Sequence, residues 1–243
     1  MNKVIALCSG KGGVGKSTTA ACVGAAIVCR DKRVLLIDAD QGLCGLGVVM
    51  GMQTLPLFDI CDSAAGNCDF YRTVTPCEML PGLNLAVVSA GEDFCTAQQL
   101  QRYIGLVRSQ FDYILIDAPA GVGREFETVC GVCDDAIVLT TPDEVALLAA
   151  SKAAELLDRR GAECRLLINR YDRTKVKKGL SAGIDECIDT VRARLIGVVP
   201  EEEEFHKLGK SGVLRLTASA SAAPAYHNIA ARICGEEVPL IRL

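Results

Sequence analysis

Ser9-Gly10-Lys11-Gly12-Gly13-Val14-Gly15-Lys16-Ser17-Thr18-Thr19 is the stretch on which the reading of this chain turns. An apolar run over residues 4–8 precedes it, and small apolar residues of helical period follow it to residue 28. Residues Gly10 to Ser17 satisfy G-x-x-x-x-G-K-[ST] in the strand-to-helix setting that this motif requires. Glycines at 10, 12, 13 and 15 let the backbone fold back with its N–H groups pointing inward. The result is a nest for phosphate oxygens at a helix N-terminus. Lys16 is long enough to reach β- and γ-phosphates, and the Ser17 hydroxyl is a natural Mg²⁺ ligand.

Outward from this loop, short apolar runs rich in β-branched residues alternate with segments of helical period. That is the pattern of a parallel sheet covered on both faces. Strands are predicted over residues 4–8, 34–38, 83–89, 113–117, 136–140, 165–169 and 195–199, and helices over 16–28, 96–110, 144–160, 183–194 and 223–234. No repeat, low-complexity tract or Ser/Pro linker divides the 243 residues. The expectation is one α/β domain over 1–243, three layers (α/β/α) around a mostly parallel sheet. Half the residues are apolar and none is Trp, so the core must be built from Val, Ile, Leu, Ala and Cys. A net charge of −4 argues against holding DNA or acidic membranes through the overall field. The N-terminal apolar run is too short for a signal-peptide core or a membrane span. A cytoplasmic protein is expected, with its thirteen cysteines kept as thiols.

Two further stretches bring carboxylates to the ends of strands, where open parallel sheets bind ligands. The run over 34–37 leads into Asp38-Ala39-Asp40, and Tyr113-Ile114-Leu115-Ile116 ends in Asp117, followed by Ala118-Pro119-Ala120-Gly121. An aspartate at a strand end can equally cap the next turn. Beside a phosphate loop, however, the second stretch reads as a Walker B arrangement in which Asp117 holds a Mg²⁺-bound water.

The second lysine of the loop makes the reading narrower. Lys11-Gly12-Gly13-Val14-Gly15-Lys16-Ser17 resembles the deviant Walker A motif of the MinD/ParA family of P-loop ATPases. The similarity extends over nearly the whole chain, and to the MinD branch more than the ParA branch. It implies an ATP hydrolase using ATP/ADP and Mg²⁺, in which Lys11 reaches across a homodimer to the partner's nucleotide. Nucleotide contacts are implied for Gly10, Lys11, Gly12, Gly13, Val14, Gly15, Lys16, Ser17 and Thr18, and catalytic roles for Lys11, Lys16 and Asp40. Asp40 would orient the attacking water, Asp38 would stand near the metal with Ser17 and Asp117, and Gly121 would offer an N–H to the γ-phosphate. Asn169-Arg170 and Pro200-Glu201-Glu202 match positions that contact adenine in relatives of this fold. No Asn-Lys-x-Asp guanine signature is present, and Glu203 and Glu204 read as a solvated acidic run.

By the same resemblance the leading function is division-site placement through an ATP-gated dimer. ParA-like DNA or cargo partition and regulation of flagellar number are the alternatives, with an activator of the MinE type or another regulator as partner. Two departures stand out. Cys44-Gly45-Leu46-Gly47 replaces the Arg-Asn-Leu-Asp usual after Gly42-Leu43, removing polar groups that face the dimer partner and regulators. The chain also ends Glu236-Glu237-Val238-Pro239-Leu240-Ile241-Arg242-Leu243, too short for the basic amphipathic helix with which MinD proteins lie on the inner face of the plasma membrane. Either the helix is absent from this homologue or the chain is truncated, and no direct membrane binding is expected of the chain as it stands. Cys130-Gly131-Val132-Cys133 lies one helical turn apart, the spacing from which a dimer could gather four sulfurs as iron–sulfur carrier ATPases do; chance adjacency among many cysteines is the expectation. Arg170, Arg173, Lys175, Lys177 and Lys178 form a basic run that reads as a solvated loop, so DNA is not an expected partner. His206 and His227 suggest no metal site.

Overall fold

The computed structural model describes residues 2–40, 45–54, 56–88, 95–202 and 222–240. Its centre is β1 (Lys3–Ser9), buried from Val4 onward. Val4, Ala6 and Cys8 face one side of the sheet while Ile5 and Leu7 face the other. A strand apolar on both faces must be covered twice, and it is. Around it run β2 (Val34–Asp38), β3 (Thr75–Pro76), β4 (Leu83–Val87), β5 (Tyr113–Ala120), β6 (Asp135–Thr140), β7 (Glu163–Tyr171) and β8 (Arg194–Pro200). The order is β3-β4-β2-β5-β1-β6-β7-β8. Every pairing is parallel except the short edge strand β3 against β4.

One face carries α1 (Lys16–Val28), α2 (Gly45–Met50) and α9 (Ala223–Ile233). The other carries α3 (Ile60–Ala65), α4 (Ala97–Val107), α5 (Arg124–Cys130), α6 (Glu144–Asp158) and α8 (Ile184–Val191). The three-layer α/β/α arrangement around a mostly parallel sheet is as expected. α1 is buried almost all round between the sheet and α9, which explains a composition of Ala, Gly, Cys and Val rather than a polar stripe. Gly24 shows how tight the packing is, since a Cβ there would stand 2.9 Å from Leu36 Cδ2.

The predicted strands and long helices are present, with shifted ends. The helix expected over 96–110 is α4 followed by a 3₁₀ turn, Arg108–Gln110. The helix expected over 183–194 stops earlier, because Arg192 adopts φ 57° and releases the chain into β8. The basic run is not simply a loop: Arg173–Lys177 forms a short helix, α7, capped by Asp172. The short helices α2, α3, α5 and α7 were not foreseen, since five to seven residues give too few turns for periodicity to register. Ser89, Gly42, Leu43, Glu203, Glu204 and His206 lie outside the described residues, as does Cys44, the first residue of the Cys44-Gly45-Leu46-Gly47 departure, whose other three residues begin α2. Among those described, no helix is long and apolar enough to cross a membrane.

Candidate nucleotide site

β1 lies between β5 and β6 and runs at its C-terminal end into the glycine loop and α1. This is the crevice beyond the carboxyl edge of an open sheet where ligands bind. Gly15 caps α1 at φ 88°, a left-handed conformation that a side chain would strain. The loop glycines serve different ends. A Cβ on Gly10 would stand 2.0 Å from the Ala149 carbonyl oxygen of α6, whereas one on Gly13 would meet nothing within 4 Å. Gly10 therefore permits close packing on α6, and Gly13 (φ 79°) borders open space suited to phosphate.

The register of β2 and β5 sets Asp38 beside Asp117. Lys16 Nζ donates to Asp117 Oδ1 at 2.8 Å, with the two side chains 6% and 0% exposed, so this is a desolvated ion pair. Asp117 Oδ2 is buried without a hydrogen-bond partner. Burial pushes the Asp117 carboxyl up against the opposing pull of Lys16 and the Ser17 hydroxyl. The Asp38 carboxylate accepts from Asp40 N at 3.1 Å and Leu46 N at 3.0 Å. Burial raises it to about 6, more than those two donors offset, and the Asp117 charge adds to the rise. The carboxylates of Asp38 and Asp117, the latter with its unpartnered Oδ2, and the Ser17 hydroxyl make a hard, all-oxygen donor set that fits Mg²⁺. Asp40 is exposed at the rim.

Three side chains or groups are engaged differently from the expectation. Lys11 Nζ lies 3.1 Å from Asp143 Oδ1 within its own chain. Asp143 is the N-cap of α6, also accepting from Ala146 N. Gly121 N donates to Ser9 O at 2.9 Å, so its N–H is not free for a phosphate in this conformation. Asn169 Nδ2 donates to Val14 O at 2.8 Å; because a carbonyl can only accept, the amide is oriented by chemistry and leaves Oδ1 as its free edge. That edge belongs to a small cleft between the ends of β7 and β8, which Gly15, Thr18, Asn169, Arg170, Pro200, Glu201, Glu202 and Tyr226 line. Arg170 takes φ 54° there. Asp143 and Tyr226 were missed. Thr141-Pro142-Asp143 before a helical run is a legible capping signal for the first, but nothing local marks the second, which arrives from α9.

The cysteine pair of the CxxC does not face outward together. Cys130 is buried at 5% exposure, and Cys133 turns back to donate its thiol to Cys130 O. Among the described residues no group of three or more His, Cys, Asp or Glu could hold a metal ion.

Comparison with known proteins meets this geometry. A family model described as ParA: NUBPL iron-transfer P-loop NTPase matches residues 1–234. The chain belongs to this P-loop family. Its curated relatives include the septum site-determining protein MinD of Bacillus subtilis, 34% identical over 246 residues, covering 99% of this chain and 92% of the relative. MinD of Thermotoga maritima is 32% identical, covering 99% and 91%. Among solved structures, the MinD cell division protein of Aquifex aeolicus superposes with a TM-score of 0.89 at 28% identity, over 99% of this chain and 100% of that one. The MinC:MinD cell division protein complex of the same organism gives 0.89 at 29%, over 99% and 98%. Members of the MinD/ParA family are ATPases, and this chain is an ATP hydrolase.

Proposed function

We propose that this chain is a MinD-like, Mg²⁺-dependent ATPase that works as an ATP-gated dimerisation switch in division-site placement. The observation that carries the reading is the convergence of the two-lysine loop with Lys16, Asp38 and Asp117 at the ends of three adjacent strands, β1, β2 and β5. MinD relatives spanning nearly the full chain support the cellular role.

In this reading the loop amides from Gly10 to Thr18 cradle the phosphates, and Lys16 leaves Asp117 for the β- and γ-phosphate oxygens. Ser17, Asp38 and Asp117 hold the Mg²⁺ shell. Held by these residues, Mg²⁺ would neutralise the charge that develops on the phosphates. Asp40, at the rim, orients water for in-line attack. The cleft between β7 and β8 takes the base, with Asn169 Oδ1 accepting from the exocyclic amino group of adenine while Arg170 and Pro200-Glu201-Glu202 flank the ring. Lys11 must exchange Asp143 for the partner's nucleotide, and Gly121 must exchange Ser9 O for the γ-phosphate. Both exchanges make closure conditional on ATP. A protein of the MinC kind is the partner that such a dimer would present itself to.

Size-exclusion chromatography with light scattering on Asp40→Ala, in ADP and then in ATP, tests the switch. Monomer in ADP and dimer in ATP is the expected result. Monomer in both, with ATP bound, overturns the switch.

A further inference from the structure

The amino ends of the strands, at the edge of the sheet opposite the nucleotide crevice, carry charge of their own. β1, β6, β7 and β8 are neighbours there. Side chains alternate between faces along a strand. Lys3, Asp135, Arg165 and Arg194 share parity with Ile5, Ile137, Leu167 and Ile196, which pack on the face that α1 and α9 cover. They form a row of three cations and one carboxylate. Lys3 Nζ takes Asp135 Oδ2 at 2.7 Å, and Arg165 Nη2 stands 3.9 Å from the same oxygen, too far for a hydrogen bond. Yet the Arg165 side chain is only 14% exposed, and its Nε is buried with no hydrogen-bond partner. Its neighbour across the β7–β8 pairing is Arg194, whose side chain makes no hydrogen bond or ion pair among the described residues. Like charges side by side on adjacent strands repel, and this pair is left without a close counter-charge.

A third arginine arrives from α9. Arg232 donates to Ile196 O at 2.6 Å and to Val238 O at 2.8 Å. Those bonds fix its guanidinium at the start of β8 and leave its remaining N–H groups available. Between the strand ends and the segment after α9 lies a cavity of about 510 Å³ that all three arginines line. Glu163, Glu236 and Glu237 line it as well, all of them exposed, and Glu236 is already paired with Arg30 at 2.9 Å. Water and salt screen exposed carboxylates, so the less screened charge of the cavity is the positive one at Arg165.

We propose that this cavity is a second anion site, in which Arg165, Arg194 and Arg232 hold a phosphate-bearing ligand. Guanidinium groups pair with carboxylate and phosphate alike, but these three come from β7, β8 and α9. A flat carboxylate offers its oxygens in one plane, whereas the tetrahedral phosphate group presents acceptors on several sides at once. The volume falls within the roughly 300–1,000 Å³ of small-molecule sites, which leaves room for a small organic group on the phosphate. The site is separate from the nucleotide. Asn169 of the base cleft lies farther along the same strand, roughly 13 Å from Arg165 at the rise of a β-strand.

The test is calorimetric titration of inorganic phosphate into the full chain saturated with Mg-ADP, against sodium chloride of equal ionic strength. Saturable binding is expected in the parent, and binding about tenfold or more weaker in Arg194→Ala, the loss of one charge-assisted hydrogen bond. Arg194 is exposed, so this variant should melt with the parent; Arg165→Gln, at the buried position, should weaken binding in the same way. Phosphate held instead at the empty γ-position beside ADP would be unaffected by either change. Co-sedimentation of the same proteins with phosphatidylglycerol vesicles separates the sources of the phosphate. Vesicle binding that Arg194→Ala loses assigns it to a lipid headgroup, and binding of inorganic phosphate alone assigns it to a soluble ligand. The proposal is overturned if the parent binds neither probe, or if both variants bind as the parent does. Neither result involves the phosphate loop, so the ATPase reading stands in both cases.

Discussion

Gly10→Ala isolates one consequence of the fold at the nucleotide loop. A methyl group there would sit 2.0 Å from Ala149 O, 2.3 Å from Ala149 C and 2.8 Å from Ala149 Cβ. A carbon–oxygen approach of about 3.3 Å is the ordinary minimum, so the backbones must separate by roughly 1 Å. α6 cannot give way easily, because Leu147, Ala150, Ala153 and Leu157 anchor it in the core, so the loop moves instead. Overpacking of this kind costs about 1–3 kcal/mol, and a misplacement of about 1 Å at a binding loop costs roughly 10²-fold in function. Urea unfolding without nucleotide should therefore show a loss in that range, and calorimetric titration should show ATP affinity falling on the order of a hundredfold. Gly12→Ala is the control. Its added Cβ meets only Ala120 Cβ at 3.9 Å, so its unfolding free energy should stay within about 0.5 kcal/mol of the parent. If Gly10→Ala unfolds at the parent's midpoint and binds ATP as the parent does, close packing on α6 is not the reason for glycine at this position.

Other substitutions read other parts of the site. Lys16→Ala should abolish ATP binding in titration calorimetry. Without nucleotide it should also cost about 3–5 kcal/mol in urea unfolding, because Asp117 is left buried and unpaired; adding Asp117→Asn should recover part of that loss. Asp40→Ala should still bind ATP but release phosphate roughly 10²–10³-fold more slowly, the cost of one transition-state contact; turnover at the parent rate removes Asp40 from the mechanism. Lys11→Ala should leave stability nearly unchanged, since the Lys11–Asp143 pair is 43% and 49% exposed. Light scattering should nevertheless show no ATP-dependent dimer. Asn169→Ala strips Val14 O of its buried donor, which should cost about 1–3 kcal/mol in chemical denaturation and weaken ATP binding in the same preparation.

Much of this protein was legible in residue order, because the signals are local. A phosphate loop is a property of consecutive residues, and so is a buried strand ending in aspartate. Residues 34–38 and 16–28 were bounded as the structure has them. The likeness of Lys11–Ser17 to the deviant Walker A motif sufficed to expect the family. Short helices escaped for an equally local reason: α3 depends on a capping box between Asp59 and Asp62 more than on any apolar period.

What residue order could not supply is which distant groups meet. Four glycines in one loop looked like one phosphate cradle, yet Gly10 is required by the backbone of α6, and Gly15 both by its left-handed φ and by Asn169, whose Nδ2 would lie 2.5 Å from an added Cβ. Lys11 finds Asp143 and Asn169 finds Val14 only because β6 and β7 are packed where they are. Sequence alone determined the phosphate chemistry, since a nest of amides and a lysine need only neighbours along the chain. The present partner of each working side chain was decided by the strand order of the sheet, which sets residues more than a hundred positions apart within hydrogen-bonding reach.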